Sequence, residues 1–347
     1  MDNLKIPTYK DCLDLVENND CFSHSTQELK GKKIHSFKYN FIPDESVWDS
    51  KFSLNMRGIT FIDEKLVALP FHKFFNINEN KYTKDISLDD IEYALSKEDG
   101  SLISMFLIDD KLYCKSMKSV FSDVSVKAME YLSTRKDIID LSHYLLGNNL
   151  SPMFEYVDPN SKIVLHYNEL DLIFLGARDM RTGEIRPSTD IVVEQQITTP
   201  KLFFTKDQIN EYLKQSNIEG VVLTMKDGRY VKIKTEEYTN IHRLISNISS
   251  DKSIVSLIFN KKLDDVKSGL VKNNLKESIK TVERVEKEFF SKVAERMDNA
   301  KEYISNNKGL SKKDIALSLK DVVLKNDVFS VLSSKSDRIL YSIYKSY

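Results

Sequence analysis

A chain of 347 residues exceeds what one compact core usually holds, so two domains are expected, and a hydrophobic content of 41% is ample to fill both. Lys and Arg at 51 against Asp and Glu at 52 leave a formal charge of -1, which excludes a globally basic surface and confines any nucleic-acid partner to a local patch. No apolar run reaches the ~18 residues of a membrane span, so no membrane is expected.

Cys12, Cys21 and Cys114 cannot all pair, and the chain start does not read as a signal sequence, so reduced thiols and a cytoplasmic location are expected. Cys21, His24 and His35 do not reproduce a zinc-ligand spacing.

Thr8-Tyr9-Lys10-Asp11 predicts a capped helix start, with Leu13 and Val16 on one face. Phe37, Tyr39 and Phe41 alternate with Lys38 and Asn40 as in a half-buried strand. Arg57 to Ile62 and Leu66 to Leu69 flank the turn residues Asp63-Glu64-Lys65, a hairpin. If Phe71 to Phe75 is extended, Lys73 and Phe75 share a face; a cation beside an aromatic suits a nucleotide and equally an ordinary surface strand.

The stretch Ser96-Lys97-Glu98-Asp99-Gly100-Ser101 sends a lysine into a tight turn, with glycine for backbone freedom and Asp99 capping its own loop. A lysine is protonated at neutral pH and attacks only once it loses that proton, so Lys97 is a nucleophile candidate or simply a solvated turn residue. Leu102 to Ile108 and Leu112 to Lys115 predict a second hairpin about Asp109-Asp110. Residues 120–146 read as one helical stretch stopped by Gly147. Met153 to Val157 places Glu155 inside an apolar strand, costly without a hydrogen-bonding partner or ligand. Leu170 to Ala177 is an apolar strand ending at Arg178-Asp179, and Lys206 to Gln215 a short helix.

Glu219 to Thr224 and Arg229 to Lys234 form a hairpin with an Asp227-Gly228 turn. With Val231 and Ile233 facing one way, Lys232 and Lys234 face the other, paired cations that suit a phosphate or a solvated surface. Past residue 243 the pattern turns helical. Apolar residues from Leu275 to Ile304 predict a helix of about 30 residues ended by Gly309, Ser311 with Asp314 caps another, and a last one runs from about Val328.

Taken in order, Lys97-x-Asp99-Gly100, Phe154-Glu155-Tyr156, Glu219-Gly220-Val221-Val222 and Lys232-Ile233-Lys234 resemble the covalent nucleotidyltransferase superfamily of ligases and RNA-capping enzymes. Phe37-Lys38-Tyr39-Asn40, Arg57-Gly58, Lys73 to Glu79, Lys97 to Leu102 and Met225 to Gly228 resemble the RNA ligase 1 family of T-even-type bacteriophages over about residues 30–240.

That resemblance implies an α+β fold, a nucleotidyltransferase domain, ATP-grasp-like and built on antiparallel sheets, followed by an all-α RNA-specificity domain; the switch from strand to helix patterns alone sets the boundary, 1–243 and 244–347. It implies an ATP-dependent RNA ligase that passes through lysyl-AMP on Lys97 and an RNA-adenylate, with Mg2+ or Mn2+. Arg57 and Lys73 would lie by the triphosphate, Tyr39 and Phe75 in the nucleotide pocket, Glu155 on the ribose, and Lys232 and Lys234 on the α-phosphate, their field with the metal easing deprotonation of Lys97. Glu219 would act near the metal and Tyr238 matches a family aromatic. Lys115 opens Lys115-Ser116-Met117-Lys118, where relatives have K-S-K-G, so Lys118 is displaced by one. Asp264, with Asp265 as rival, falls where relatives place a metal-associated acid, and it reads as well as a helix-capping or solvated one.

The implied partner is RNA, as single-stranded ends or a broken tRNA anticodon loop, met by a monomer in the host cytoplasm beside an end-healing kinase/phosphatase. The alternatives are a capping-type guanylyltransferase or DNA ligase, whose OB-fold motif R-x-D-K is absent, and an inactive RNA-binding relative.

Overall fold

The structure is a computed structural model that describes residues 4–40, 42, 44–159, 164–335 and 337–347; Phe41, expected to continue an alternating strand, lies outside them. The chain divides into two compact units, Met1–Tyr238 and Thr239–Tyr347.

The first unit opens on α1 (Tyr9–Asn18), where Thr8 and Asp11 close the expected capping box and Cys12, Leu13 and Val16 turn toward the core. Strands β1 (Phe22–Leu29), β2 (Lys32–Tyr39), β3 (Arg57–Ile62) and β4 (Lys65–Ala68) then form an antiparallel sheet in that order. Its two tight turns, Lys30-Gly31 and Asp63-Glu64, take φ between 49° and 73° at both central residues. That mirror-image turn matches the twist of the strands it joins.

Next come β5 (Phe75–Asn76), β6 (Ile91–Lys97), β7 (Ser101–Ile108), β8 (Lys111–Lys115), α2 (Asp123–Leu132) and α3 (Lys136–Gly147). After them run β9 (Leu150–Val157), β10 (Asp171–Asp179), β11 (Ile185–Pro187), β12 (Leu202–Phe203), α4 (Lys206–Leu213), β13 (Gly220–Met225) and β14 (Tyr230–Lys234). They build two five-stranded sheets, β11-β10-β9-β7-β8 and β12-β6-β13-β14-β5. Pairing is antiparallel except where β5 runs parallel to β14. Helices α2 and α3 cover the first sheet over Ile103, Phe154 and Phe174, and α4 covers the second through Ile209 and Tyr212.

The helical stretch expected over 120–146 is two helices. The Ser133 and Thr134 hydroxyls donate to the carbonyls of Glu130 and Tyr131, groups that a continuing helix would have bonded itself. Arg135 then fixes the break by reaching Asp137 and Asp171. Gly147 is still helical; the left-handed residue beyond the end is Asn149.

Helix α5 (Glu236–Asn247) leads into α6 (Asp251–Phe259), α7 (Leu263–Lys272), α8 (Lys276–Asn306), α9 (Lys312–Ser318), α10 (Val322–Leu332) and α11 (Asp337–Tyr344). The 31-residue α8 is the expected long helix, and Val282, Val285, Phe289 and Val293 on it meet Ile254, Leu270 and Ile339. Ser311 and Asp314 cap α9 as expected. The last helical stretch, expected from Val328, instead begins at Val322, where Asp321 accepts from the Val323 and Leu324 N–H groups, and it is split into α10 and α11. Arg296 of α8 donates from Nε to buried Asp327 of α10 at 2.7 Å. Among the described residues no helix is long and apolar enough to cross a membrane.

Candidate active site

Between β6 and β7 the chain passes from one five-stranded sheet to the other, and Glu98-Asp99-Gly100 is the crossing. Gly100 is required for space and not for unusual backbone angles: a Cβ there would lie 2.3 Å from the Tyr156 carbonyl oxygen. Asp99 does not cap its own loop as expected. Its buried carboxylate accepts from the backbone N–H groups of Val164 and Leu165 and from the Tyr238 hydroxyl, each at 2.8 Å, so distant segments hold the turn. Glu98 accepts from Ser96 Oγ at 2.6 Å and from the Tyr167 hydroxyl at 3.1 Å.

The two five-stranded sheets face each other across a cleft. One wall is Leu95, Ser96 and Lys97 of β6, Val222 and Thr224 of β13, and Tyr230, Lys232 and Lys234 of β14. The other is Leu102 of β7, Glu155 of β9, Leu175 of β10 and Ile185 and Pro187 of β11. Tyr39 and Arg57 of the four-stranded sheet and the segment Phe71 to Phe74 close it. Of the residues singled out in the sequence, Tyr39, Arg57, Lys73, Lys97, Glu155, Lys232 and Lys234 line this one cavity.

Its electrostatics favour an anion. Five cations, Arg57, Lys73, Lys97, Lys232 and Lys234, line it against the carboxylates of Glu98 and Glu155. Burial, helped by Lys73 and Lys97, lowers the Lys232 ammonium to about 7. Burial likewise raises the Glu155 carboxyl to about 7 against the pull of Lys97. One Glu155 oxygen accepts from the Gly100 N–H at 3.1 Å, the partner that an acid in an apolar strand requires.

Glu219 lies just before β13, where Gly220 pairs with Lys97. It is 2% exposed and gives one oxygen to Lys97 Nζ and the other to Lys234 Nζ, both at 2.8 Å. The two lysines thus share one carboxylate. Among the described residues no three His, Cys, Asp or Glu side chains cluster as metal ligands; the carboxylates at or beside the lysines are Glu98, Glu155 and Glu219, and a divalent ion held here would draw its remaining ligands from phosphates.

Lys73 Nζ sits 5.0 Å from the Phe75 ring centre, although Phe71 to Phe74 is not the extended strand on which the shared face was expected, and Phe75 itself is core, stacked on Tyr82. Tyr238 is buried and bears on Lys234, whose Nζ lies 4.8 Å from its ring. Lys115 does not line the cavity: it is fully buried, donates to the Gly58 carbonyl at 2.9 Å, and is lowered to about 7 by burial, while Lys118 is exposed. Asp264 belongs to the second unit as an exposed acid, with Asp265, in the first turn of α7, where a negative charge complements the helix dipole.

Three positions escaped the sequence reading. Phe74 faces both Arg57 and Lys232, at 5.8 and 5.7 Å, because Phe71 to Phe74 is not a strand and alternation does not govern it. Glu98 was passed over inside its own motif. Arg178, 1% exposed, spans from the Pro70 carbonyl to that of Gly183, both at 2.9 Å, and so anchors the segment carrying Lys73; the only signal was a charge ending an apolar strand.

The family model described as RNA ligase matches residues 55–238. A candidate RNA ligase of Thermovibrio ammonificans is 25% identical over 273 residues, covering 75% of this chain and 70% of that protein. A candidate bifunctional polynucleotide kinase/RNA ligase of Autographa californica nuclear polyhedrosis virus is 23% identical over 224 residues, 58% of this chain and 32% of the viral protein. Among solved structures, an archaeal ATP-dependent RNA ligase superposes with a TM-score of 0.49 at 11% identity, over 78% of this chain and 76% of its own.

Proposed function

The chain belongs to the RNA ligase family, and we propose that it seals RNA 5′-phosphate and 3′-hydroxyl ends at the expense of ATP through an adenylate carried on Lys97. What carries this reading is the convergence of five cations on one cleft, with Lys97 and Lys234 bridged by buried Glu219.

In the first step Lys97 Nζ, having lost a proton, forms a bond to the α-phosphorus of ATP, and the bond to the β-phosphate oxygen breaks to release pyrophosphate. Charge builds on the phosphoryl oxygens, so the protein's part is to position cations around them. Lys232 and Lys234 face the α-phosphate, Arg57 and Lys73 the β- and γ-phosphates, Tyr39 and Phe74 the base, and Glu155 the ribose. Arriving phosphate also competes with Glu219 for Lys234, which frees one carboxylate oxygen. A divalent metal, Mg2+ or Mn2+, bound there with the phosphates would neutralise the leaving pyrophosphate. In the later steps the AMP passes to an RNA 5′-phosphate, and a 3′-hydroxyl displaces it.

A break in a tRNA anticodon loop is the substrate we propose, with a separate end-healing kinase/phosphatase as partner. Support for the partner is the viral relative, whose name joins polynucleotide kinase to RNA ligase. The test is incubation with α-labelled ATP, or GTP as the control, followed by a denaturing gel. Labelled adduct is expected with ATP and lost in Lys97→Ala; in Lys232→Ala it should fall by at least tenfold, while Ile233→Val should spare it. Adduct persisting in Lys97→Ala refutes the assignment, and adduct only with GTP makes the protein a guanylyltransferase.

A further inference from the structure

The second unit carries two exposed aromatic rings, Phe259 and Tyr341, beside a third, Tyr344, that packs against its core. Phe259 closes α6 and Tyr341 and Tyr344 stand on α11. The Phe259 and Tyr344 rings are stacked, 5.0 Å between centres at 10°, and Tyr341 lies 5.8 Å from Phe259. Core aromatics are covered, yet Phe259 is 39% and Tyr341 46% exposed. Leaving large rings in water is unfavourable unless something covers them in the working state.

The surrounding charge states what that something is. Lys345 Nζ sits 4.8 Å from the Tyr341 ring. Helices α6 and α11, which carry the three rings, and the turn after α6 hold Lys252, Lys261, Lys262, Arg338 and Lys345 against two acids, Asp251, which is paired with Arg284, and Asp337. All five cations are exposed, and none forms an ion pair among the described residues. In a chain whose acids and bases nearly balance, this is a local excess. Exposed rings on elements that carry unpaired cations, with Lys345 against one of the rings, are a combination that binds single-stranded nucleic acid, bases on the rings and phosphates on the lysines.

We propose that Phe259, Tyr341 and Tyr344, with Lys345 and Arg338, form a stacking platform for unpaired RNA bases. The ligand class rests on the RNA-ligase reading; the platform itself rests on the rings and charges. It receives bases with little sequence preference, because every base offers a flat face.

The experiment is fluorescence anisotropy of a short labelled single-stranded RNA with the full chain and no ATP. The double variant Phe259→Leu/Tyr341→Leu keeps apolar bulk but removes the flat faces, and should bind about tenfold more weakly, while Tyr341→Trp should bind at least as tightly as the parent. An abasic strand with the same backbone should bind the parent about as weakly as RNA binds the double variant. Circular dichroism and thermal unfolding establish that the variants are folded. Equal RNA affinity in parent and double variant overturns the proposal, as does equal affinity of the parent for RNA and the abasic strand. A parent dimer that the double variant splits in sedimentation also overturns it and assigns the surface to a second copy. Labelled ATP separates this from the ligase reading: a parent that forms no adduct but binds RNA through its rings loses the reaction and keeps the platform.

Discussion

Glu155 sits where an ionised group is least at ease, on an apolar strand beside Glu219, with a carboxyl that burial raises to about 7. A carboxylate whose folded pKa lies above its unfolded value of ~4.3 binds more protons folded than unfolded between the two, so stability falls as pH rises through that window. The cost is absent at the low end and complete above about 7. Glu155→Gln keeps an oxygen to accept from the Gly100 N–H but never ionises. It should therefore melt higher than the parent at pH 8, with the gap closing toward pH 5, as scanning calorimetry would measure; a gap that widens toward acid contradicts the assignment. At this scale much of the cleft was legible. Lys232 and Lys234 follow from two-residue alternation in β14, and Glu155 from the rarity of an acid in such a strand. Lys115 was not, because nothing in Lys-Ser-Met-Lys distinguishes a lysine buried against the Gly58 carbonyl from one in solvent.

At the scale of elements, the turn after β6 depends on how closely two backbones approach. Gly100→Ala would bring its methyl 2.3 Å from the Tyr156 carbonyl oxygen, and backbone yields less readily than a side chain. A loss of about 1–3 kcal/mol in chemical unfolding is expected. Adduct formation should slow as well, because Lys97 stands at the edge of that turn; wild-type stability and rate together would contradict the close approach. Hairpins and long helices were legible for the same reason: Asp63-Glu64 and Asp109-Asp110 fall between alternating runs, and the α8 stripe recurs over 31 residues. The breaks were hidden. The split between α2 and α3 is made by Ser133 and Thr134 bonding their own carbonyls and by Arg135 reaching Asp171, a contact outside any local window. Asp321, the cap that opens α10, lay within reach of the same capping logic that found Ser311.

For the molecule as a whole, every residue lining the cleft lies at or before Lys234, and the family match ends at 238. This supports the proposal that the first unit performs the chemistry and the second chooses the RNA. A chain ending at Asn247, which keeps α5 whole, should still form the ATP adduct and should seal a broken anticodon loop no better than a generic single strand. Unchanged preference in the folded truncation would refute that division. The switch from strand to helix patterns past residue 243 was legible, whereas the ring cluster of the second unit was not, since Phe259 and Tyr344 are 85 positions apart in the sequence.

The partners of the Lys97 turn all come later in the chain: Tyr156, Val164, Leu165 and Tyr167, then Glu219, and last Tyr238. A protein is made from its N-terminus, and so this lysine emerges from the ribosome well before these partners. The lysine is synthesised early and its turn is held late. A nascent chain stalled before Tyr238 has cleared the exit tunnel carries the whole Lys97 motif but not the hydroxyl that holds Asp99. If Lys97 carries the adenylate, adenylation during translation should accordingly begin only once that tyrosine is free, and chains stalled before it should stay silent toward ATP.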